Sequence, residues 1–483
     1  MKGLCSVAAA LALALVVPSL ALAQAPPPVD TFTYTKNLHP LGFSPFANTP
    51  NLPGLTFTAN SDLAFRGKLA FQGHYLGFRI VDISDPEAPR QISFTRCAGN
   101  QGDVVVYGDI LIRSWNSPAA VGNETALAGP NACDGEPVPV GFEGIHVFDI
   151  SNLEDPELVG EVELSARPMA SRALENGNLG CGSHTDTVAP DLANNRLLIY
   201  NATSGGNTAL PAGLQDCDWL DILEVPLANP GAARWLHREP LEGGHAAHDN
   251  GVILGDANLL AVASGHMSNV FDIGANAFPG GSKADPVPLF TIEEPGVCNT
   301  GGPLCNGNWH SAAFSPDGKV IILGWEPGGG AAPECEASDP AVKKSWFFYD
   351  ATNDGATNDG AKLGQFVLPR PQTAAENCTI HNYNVVPTDK RYLLVGGNYQ
   401  AGISVVDFTN PAAAKEIAFA DPAPLVPTQL GGDWSTYWYN GRIYESDITR
   451  GLLIWNLSGK WEAGAKRLPY LNPQTMEFTL DSP

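Results

Sequence analysis

The sequence predicts an all-β fold, a β-propeller of seven four-stranded blades. Two compositional observations favour it. Short apolar or alternating runs dominate over stretches with a 3.6-residue apolar period, and the 483 residues include 51 Gly and 40 Pro, which implies many turns. The third observation is a repeated unit of strands that recurs along the chain, which is typical of propellers.

Three segments define the repeated unit. Residues 77–86 read GFRIVDISDP, residues 144–152 read GIHVFDISN and residues 402–411 read GISVVDFTNP. Each is an apolar strand that ends in Asp, followed by a polar turn and a further strand. Asp and Asn bond the local backbone and Pro fixes φ, so these residues favour a turn there. A second hairpin precedes each segment, so each unit has four strands.

Seven units follow from this spacing, over residues 60–98, 99–165, 181–240, 245–295, 308–371, 378–423 and 431–480. We therefore expect a single propeller domain over residues 59–483. Residues 24–58 form an N-terminal extension that can supply a closing strand, for which Leu55–Thr58 is the candidate. Six or eight blades, and a solenoid, stay open as alternatives.

The strand endings RIVDISDP at residues 79–86 and SVVDFTNP at residues 404–411 resemble the LVIVD-repeat family of exported bacterial proteins. The resemblance covers three good copies of the unit and four degenerate ones. It implies a propeller in an exported protein and says little about activity, since that family is largely uncharacterised.

The first 23 residues predict a secretory signal peptide. Lys2 is followed by an apolar run and by the small-residue exit Ala21-Leu22-Ala23. The apolar run is short for a membrane span, and we see no other candidate span. We therefore expect a periplasmic or extracellular protein. Its net charge of −24 disfavours binding to nucleic acid.

Eight of the nine cysteines follow the predicted signal peptide, and an even number in an exported chain predicts disulfides. The repeat register places Cys97 beside Cys133 and Cys181 beside Cys217. The remaining pairs are then Cys298–Cys305 and Cys335–Cys378.

Four histidines occupy equivalent places at the start of the first strand of their unit: His184, His248, His310 and His381. First strands line the central channel of a propeller, so these imidazoles should converge at one end of it. The end of the second strand lies beside this place. It holds His74, His266, Glu326 and Glu445.

These residues predict a metal site, because His is the commonest metal ligand and carboxylates complete such sites. The expected ligands are His184, His248, His310, His381, His74 and His266. The candidate proton acceptors are Asp186, Glu326, Asp433 and Glu445. Duplication of a repeat unit that carries a turn-capping His is the alternative origin of the pattern.

A His-rich set suits copper, zinc or iron, and calcium stays possible. The placement of the histidines also resembles that in copper-binding propellers related to selenium-binding protein, a methanethiol oxidase. The sequence thus favours a metal-dependent oxidoreductase or hydrolase. The alternatives are a non-catalytic propeller that binds a small molecule or protein at this end of the channel, and a structural surface protein.

Overall fold

The computed structural model describes residues 27–46, 59–116, 132–139, 142–164, 181–203, 217–243, 246–274, 280–294, 307–352, 359–425 and 430–483. The predicted signal peptide, the candidate closing strand Leu55–Thr58 and the predicted pair Cys298–Cys305 lie outside these residues. Seven antiparallel sheets of four main strands confirm the predicted seven-bladed propeller.

The first three blades each use consecutive strands, ordered from the channel outward. Blade 1 contains Asn60–Arg66, Leu69–His74, Gly77–Asp82 and Arg90–Arg96. Blade 2 contains Val104–Tyr107, Ile110–Trp115, Gly144–Asp149 and Glu157–Glu163, and a small hairpin of Ala132–Cys133 and Glu136–Pro137 is inserted in it. Blade 3 contains Thr185–Asp191, Arg196–Ala202, Trp219–Pro226 and Arg234–Pro240.

The next three blades follow the same plan. Blade 4 contains Ala247–Ile253, Leu259–Ser264, Met267–Asp272 and Val287–Glu293. Blade 5 contains Gly307–Phe314, Val320–Pro327, Ser345–Asp350 and Lys362–Val367. Blade 6 contains Tyr383–Val385, Leu393–Gly397, Ile403–Asp407 and Lys415–Asp421, with Thr33–Tyr34 added at its outer edge.

Blade 7 joins the two ends of the chain. Its inner strands are Asp433–Tyr439, Arg442–Asp447 and Gly451–Leu457. Its outer strand is Leu38–Pro45 from the N-terminal extension, which is the closing strand of the propeller. The fourth strand of this blade therefore does not come from residues 458–480, as the seventh sequence unit implied.

The residues after blade 7 cover the far end of the channel. Tyr470–Leu471 pairs with the inner strand of blade 1, and Thr475–Met476 pairs in parallel with that of blade 4. Both pairings lie near the ends of those inner strands, opposite the end where the histidines lie.

Five short 3-10 helices lie in the described connections: Leu192–Asn194, Pro230–Ala232, Gly328–Gly330, Ala341–Lys344 and Pro411–Ala413. No helix among the described residues has the length and apolar character needed to cross a membrane.

The Asp at the end of the third strand of blades 1, 2 and 6 has a local function that explains the repeat. The carboxylates of Asp82, Asp149 and Asp407 accept hydrogen bonds from the backbone N–H two residues further on, at 2.8–3.0 Å. This Asx turn reverses the chain toward the outer strand.

The apolar core is divided among the interfaces between blades. One cluster packs blade 4 against blade 5 through Ile253, Trp309 and Phe347, and another packs blade 7 against blade 1 through Tyr437, Leu452 and Phe65. Corresponding clusters fill the other five interfaces. Because every blade has a partner on both sides, the ring of blades has no open end.

Three predicted disulfides are confirmed: Cys97–Cys133, Cys181–Cys217 and Cys335–Cys378. The first two tie the start of an inner strand to the loop that follows the second strand, as the repeat register required. They therefore support the same strand alignment that brings the histidines together.

Candidate metal centre

The four predicted inner-strand histidines form one continuous row. Ring centroids are 4.3 Å apart for His184 and His248, 4.0 Å for His248 and His310, and 4.2 Å for His310 and His381. All four side chains are buried. Blades 3, 4, 5 and 6 each contribute one imidazole to the row.

Side chains of neighbouring blades hold the backbone beneath these rings. The Ser114 hydroxyl donates to the His184 carbonyl at 3.1 Å, and the Thr185 hydroxyl donates to the His248 carbonyl at 2.9 Å. Ser311 makes the corresponding bond to the His381 carbonyl at 3.4 Å. The row is thus fixed across blade boundaries.

Burial keeps the imidazoles neutral. Loss of solvent lowers the pKa of His184, His248 and His381 to about 3, and lowers that of His310 well below its usual value. A neutral imidazole has one nitrogen lone pair free to bind a metal ion. In His381 the Nδ1–H donates to the Trp434 carbonyl, which leaves Nε2 as the free nitrogen.

Glu326 completes the predicted set at this end of the channel. One carboxylate oxygen lies 3.8 Å from His310 Nε2 and the other lies 3.8 Å from His381 Nε2. Burial raises the pKa of Glu326 to about 8, against the effect of the Tyr399 hydroxyl, which donates to Oε1 at 2.8 Å. Ligand atoms of His310, Glu326 and His381 all lie within 4.8 Å of one another.

Tyr399 is held close to Glu326 by unusual backbone geometry. Its φ is +51°, a left-handed value that is uncommon for a bulky residue. Gly330 lies against it, and a Cβ there would come within 2.2 Å of the Tyr399 hydroxyl oxygen. Gly330 also has a φ of +69°, so both its conformation and the space around it require glycine.

Asp249 also belongs to the cluster, although the repeat pattern in the sequence does not predict it. Its carboxylate oxygens lie 3.7 Å from His248 Nδ1 and 3.5 Å from His310 Nδ1. Burial raises the pKa of Asp249 to about 6, and His184 opposes this effect. A second potential ligand group, of His248, Asp249 and His310, therefore lies beside the first.

One extra residue at the start of several inner strands turns side chains into the channel. In blade 4 the pairing shifts between Ala247 and Asn250, which leaves His248 and Asp249 outside the regular ladder. The same shift occurs between Asn60 and Leu63, between Trp309 and Ser311, and between Asp433 and Ser435. Such bulges redirect side chains. The displaced residues, Asp62, His310 and Trp434 among them, line the channel.

A cavity of about 230 Å³ adjoins the histidine row. It is lined by two kinds of residue. The first consists of the metal-binding candidates His184, His248, His310, His381 and Glu326 together with Gln101. The second is a wall of Tyr75, Tyr399, Leu430 and Trp434, with Gly329 beside it. Below the row, Asp62 and Asp103 continue the channel.

His74 and His266 are not among the residues that line this cavity. The His74 ring packs on Phe46 and Phe94, and its Nδ1 accepts the Leu76 N–H at 3.1 Å. Burial lowers the pKa of His74 to about 3, and Arg79 and Arg113 add to this effect by their positive charge, which would also oppose a metal ion. The half-buried His266 contributes its backbone carbonyl to a bond from Trp309 Nε1 at 3.2 Å.

Three of the four predicted proton acceptors also lie away from the cavity lining. Burial raises the pKa of Asp186 to about 8, and its backbone N–H donates to Asp103 at 2.6 Å. Asp433 and Glu445 form a pair in blade 7, where burial and their mutual proximity raise the pKa of Asp433. Burial also raises the pKa of Glu445 to about 7, and Glu445 accepts a bond from Trp455 Nε1 at 2.6 Å.

A buried carboxyl outside the cluster gives a pH-dependent prediction. Burial raises the pKa of Glu143 from 4.5 to about 8, against a hydrogen bond from the Gly182 backbone. Between these pH values the folded state keeps a proton that the unfolded state has lost. Glu143 alone should therefore lower the free energy of unfolding by up to about 1.4 kcal/mol per pH unit as the pH rises from 5 to 8.

Denaturant unfolding at pH 5, 6.5 and 8 measures this contribution. Glu143→Gln should flatten the slope, whereas Glu157→Gln, at an exposed position in the same blade, should leave it unchanged. Equal slopes in the wild type and in Glu143→Gln would contradict the prediction.

No protein-family model matches the chain, and no curated protein matches it. The resemblance to the LVIVD-repeat family therefore stays a prediction.

The solved structures that are similar to the chain include two at low sequence identity. The β-propeller domain of Cps50 (Swd1) from Myceliophteria thermophila is 9% identical with a TM-score of 0.41, over 75% of this chain and 84% of that one. A chain of a mitotic checkpoint complex is 11% identical with a TM-score of 0.45, over 94% and 99%. Neither likeness bears on function.

Proposed function

We propose that this protein binds one transition-metal ion at the histidine row and uses it in an oxidoreductase or hydrolase reaction on a small molecule in the adjoining cavity. His310, His381 and Glu326 would be the main ligands. His184 and His248 lie next in the row and would complete the coordination or bind the substrate.

The proposal rests mainly on the position of Glu326, whose carboxylate lies beside the imidazoles of His310 and His381. Its two oxygens each lie 3.8 Å from an Nε2 atom. Metal bonds to nitrogen and oxygen ligands are about 2.0–2.2 Å long, which holds neighbouring ligand atoms about 3–4 Å apart. Small side-chain movements would therefore bring all three atoms onto one ion.

The energetic cost of burying unpaired polar atoms also supports the proposed metal site. Nδ1 of His248, Nδ1 of His310 and both carboxylate oxygens of Asp249 are buried without a hydrogen-bond partner. Each buried polar atom left without a partner costs about 1–3 kcal/mol. Polar groups concentrated in this way are typical of functional sites, where binding of a ligand offsets the cost.

The donor set favours a transition metal over calcium. Neutral imidazoles suit copper, zinc and iron, whereas calcium prefers a shell of oxygen atoms. A bound ion of this kind polarises a substrate oxygen or lowers the pKa of a bound water. Asp249 would orient His248 and His310, and Tyr399 would hold Glu326 through the bond to Oε1.

Elemental analysis of the purified protein tests the proposal. We expect about one equivalent of copper, zinc or iron per chain, after purification or after titration of chelator-treated protein. His310→Ala, His381→Ala and Glu326→Gln should each weaken binding at least tenfold. His39→Ala, at an exposed histidine of the closing strand, is the matched control and should bind normally.

Circular dichroism and thermal unfolding of the same samples identify variants that fail to fold. Folded wild-type protein that takes up none of the three metals would overturn the proposal. Folded His310→Ala and Glu326→Gln proteins that bind metal as tightly as the wild type would also overturn it.

We further propose that the protein acts outside the cytoplasm. Three disulfides fit an oxidising compartment and support this proposal. Expression in the native host, followed by N-terminal sequencing, should give a mature chain that starts at Gln24. Full-length protein recovered only from the cytoplasm, with reduced cysteines, would be the contrary result.

A further inference from the structure

The wall of the cavity that faces the metal-binding candidates is aromatic. The Tyr399 ring lies 4.3 Å from the His381 ring, and the Trp434 ring lies 5.2 Å from it in an edge-to-face arrangement. Tyr75 packs edge-to-face on Trp434 at 6.0 Å. These rings pack with Ala59 and Ile448 into a small apolar cluster, against which Leu430 also lies.

Trp434 and Tyr399 are held in place by burial and by hydrogen bonds. The Trp434 carbonyl accepts the His381 Nδ1–H, and the Tyr399 hydroxyl donates to Glu326. Trp434 is 8% exposed and Tyr399 is 3% exposed. A ligand beside the metal ion would therefore meet rigid aromatic surfaces, which bind at low entropic cost.

The residues around the cavity favour a neutral ligand. Among the described residues that line it, none is Lys or Arg. Glu326 in the lining, and Asp249, Asp62 and Asp103 in the channel below, supply no positive charge to pair with an organic anion. A bound metal ion would repel an organic cation. A neutral ligand needs no charged partner in the lining.

The cavity volume limits the size of the ligand. Its volume of 230 Å³ lies below the roughly 300 Å³ at which sites for drug-sized ligands usually start. A single aromatic ring with one or two substituents fits within this volume.

We propose that the ligand of this site is a small, uncharged, single-ring aromatic molecule with one neutral donor such as a hydroxyl group. This inference rests on the proposed metal centre, because the donor would face the ion while the ring packs on Tyr75, Tyr399 and Trp434. Tyr75 and Trp434 are specificity-determining residues in this arrangement and are not metal ligands.

Calorimetric titration of the metal-loaded protein tests the proposal with three probes of similar size. Phenol represents the proposed class, cyclohexanol has a ring of the same size and a hydroxyl group but no aromatic character, and benzoate is an aromatic anion. Each aromatic contact contributes a factor of about three to ten in affinity. We expect phenol to bind at least tenfold more tightly than cyclohexanol or benzoate.

Two variants test whether phenol binds against the aromatic wall. Trp434→Leu and Tyr75→Leu should each weaken phenol binding about three- to tenfold and leave the metal content unchanged, since Trp434 bonds His381 through its backbone. The control is Trp461→Leu, because Trp461 packs under Arg391 and does not line the cavity. This variant should bind phenol like the wild type.

Metal content measured on the same samples distinguishes a failure of the proposed metal site from a failure of the proposed aromatic ligand. Protein that takes up no metal overturns the proposed function. Metal-loaded protein that binds cyclohexanol or benzoate as well as phenol overturns the aromatic ligand alone, as does an unchanged phenol affinity in Trp434→Leu. Metal-free protein that still prefers phenol, and loses this preference in Trp434→Leu, would support the aromatic wall independently of the ion.

Discussion

A chain that begins at residue 47 is expected to lose cooperative folding. Removing Leu38–Pro45 exposes the edge of Gly451–Leu457 and uncovers the cluster that Leu38 and Phe43 form with Trp455. Burial of a Leu or Phe side chain contributes about 1.5–3 kcal/mol, and a whole domain is stable by only about 5–15 kcal/mol. Loss of this strand should therefore remove most of the stability.

The control is a chain that begins at residue 36. It keeps the closing strand and the bond from Asn37 Nδ2 to the Ile417 carbonyl, and it loses the short outer pairing of Thr33–Tyr34 together with the Phe32 ring that stacks on Trp455. Scanning calorimetry and limited proteolysis should show a single sharp transition for this chain and none for the shorter one. If both chains melt at the same temperature, the N-terminal strand does not close the ring.

The second large effect is expected from Arg79→Ala. The Arg79 guanidinium is fully buried between blade 1 and the closing strand, and burial lowers its pKa to about 9. Its Nε donates to Gln72 Oε1 at 2.7 Å, and its Nη2 donates to the Ser44 carbonyl at 3.0 Å. The substitution leaves Gln72 Oε1 buried without this donor, removes the bond to the Ser44 carbonyl and opens a cavity, so the free energy of unfolding should fall by about 3–5 kcal/mol.

Arg90→Ala is the matched control on the same blade. The Arg90 side chain is 68% exposed, and its ion pair with Asp82 at 3.4 Å is weak. Denaturant unfolding of this variant should be close to that of the wild type. Equal stability of Arg79→Ala and Arg90→Ala would show that the buried guanidinium does not couple blade 1 to the closing strand.

The repeated features of the fold could be predicted from the sequence because each has a local cause. The Asp at the end of a third strand forms its turn with the residues that follow it, as at Asp82 and Asp407. The same register aligned His184 with His381, and it placed Cys181 beside Cys217. Because the unit repeats, a structure inferred for one blade also applies to the equivalent residues of the next blade.

Features that break the repeat could not be predicted in the same way. Leu38–Pro45 pairs with Gly451–Leu457, more than 400 residues later in the chain, and no local pattern indicates such a partner. Asp249 follows His248 directly, so regular alternation would point the two side chains to opposite faces. The bulge between Ala247 and Asn250 instead places both in the channel.

The ends of the second strands show the same limit, because equivalent positions in different blades can have different surroundings. Position alone suggested that His74 and Glu445 belong with Glu326. The structure surrounds His74 with Phe46, Phe94 and two arginines, and it pairs Glu445 with Asp433 and Trp455. Which side chain reaches the cavity depends on the loops around it, which differ between blades.

The ring of blades and the site at its centre depend on different features of the sequence, and the bulges in the inner strands show this. Duplication of a four-stranded unit yields a stable ring without any chemistry at its centre. A single inserted residue at the start of an inner strand then presents His310 or Trp434 to the channel, while the rest of the blade keeps its pairing. A one-codon insertion or deletion at such a position would therefore change which side chains line the channel and leave the ring of blades intact.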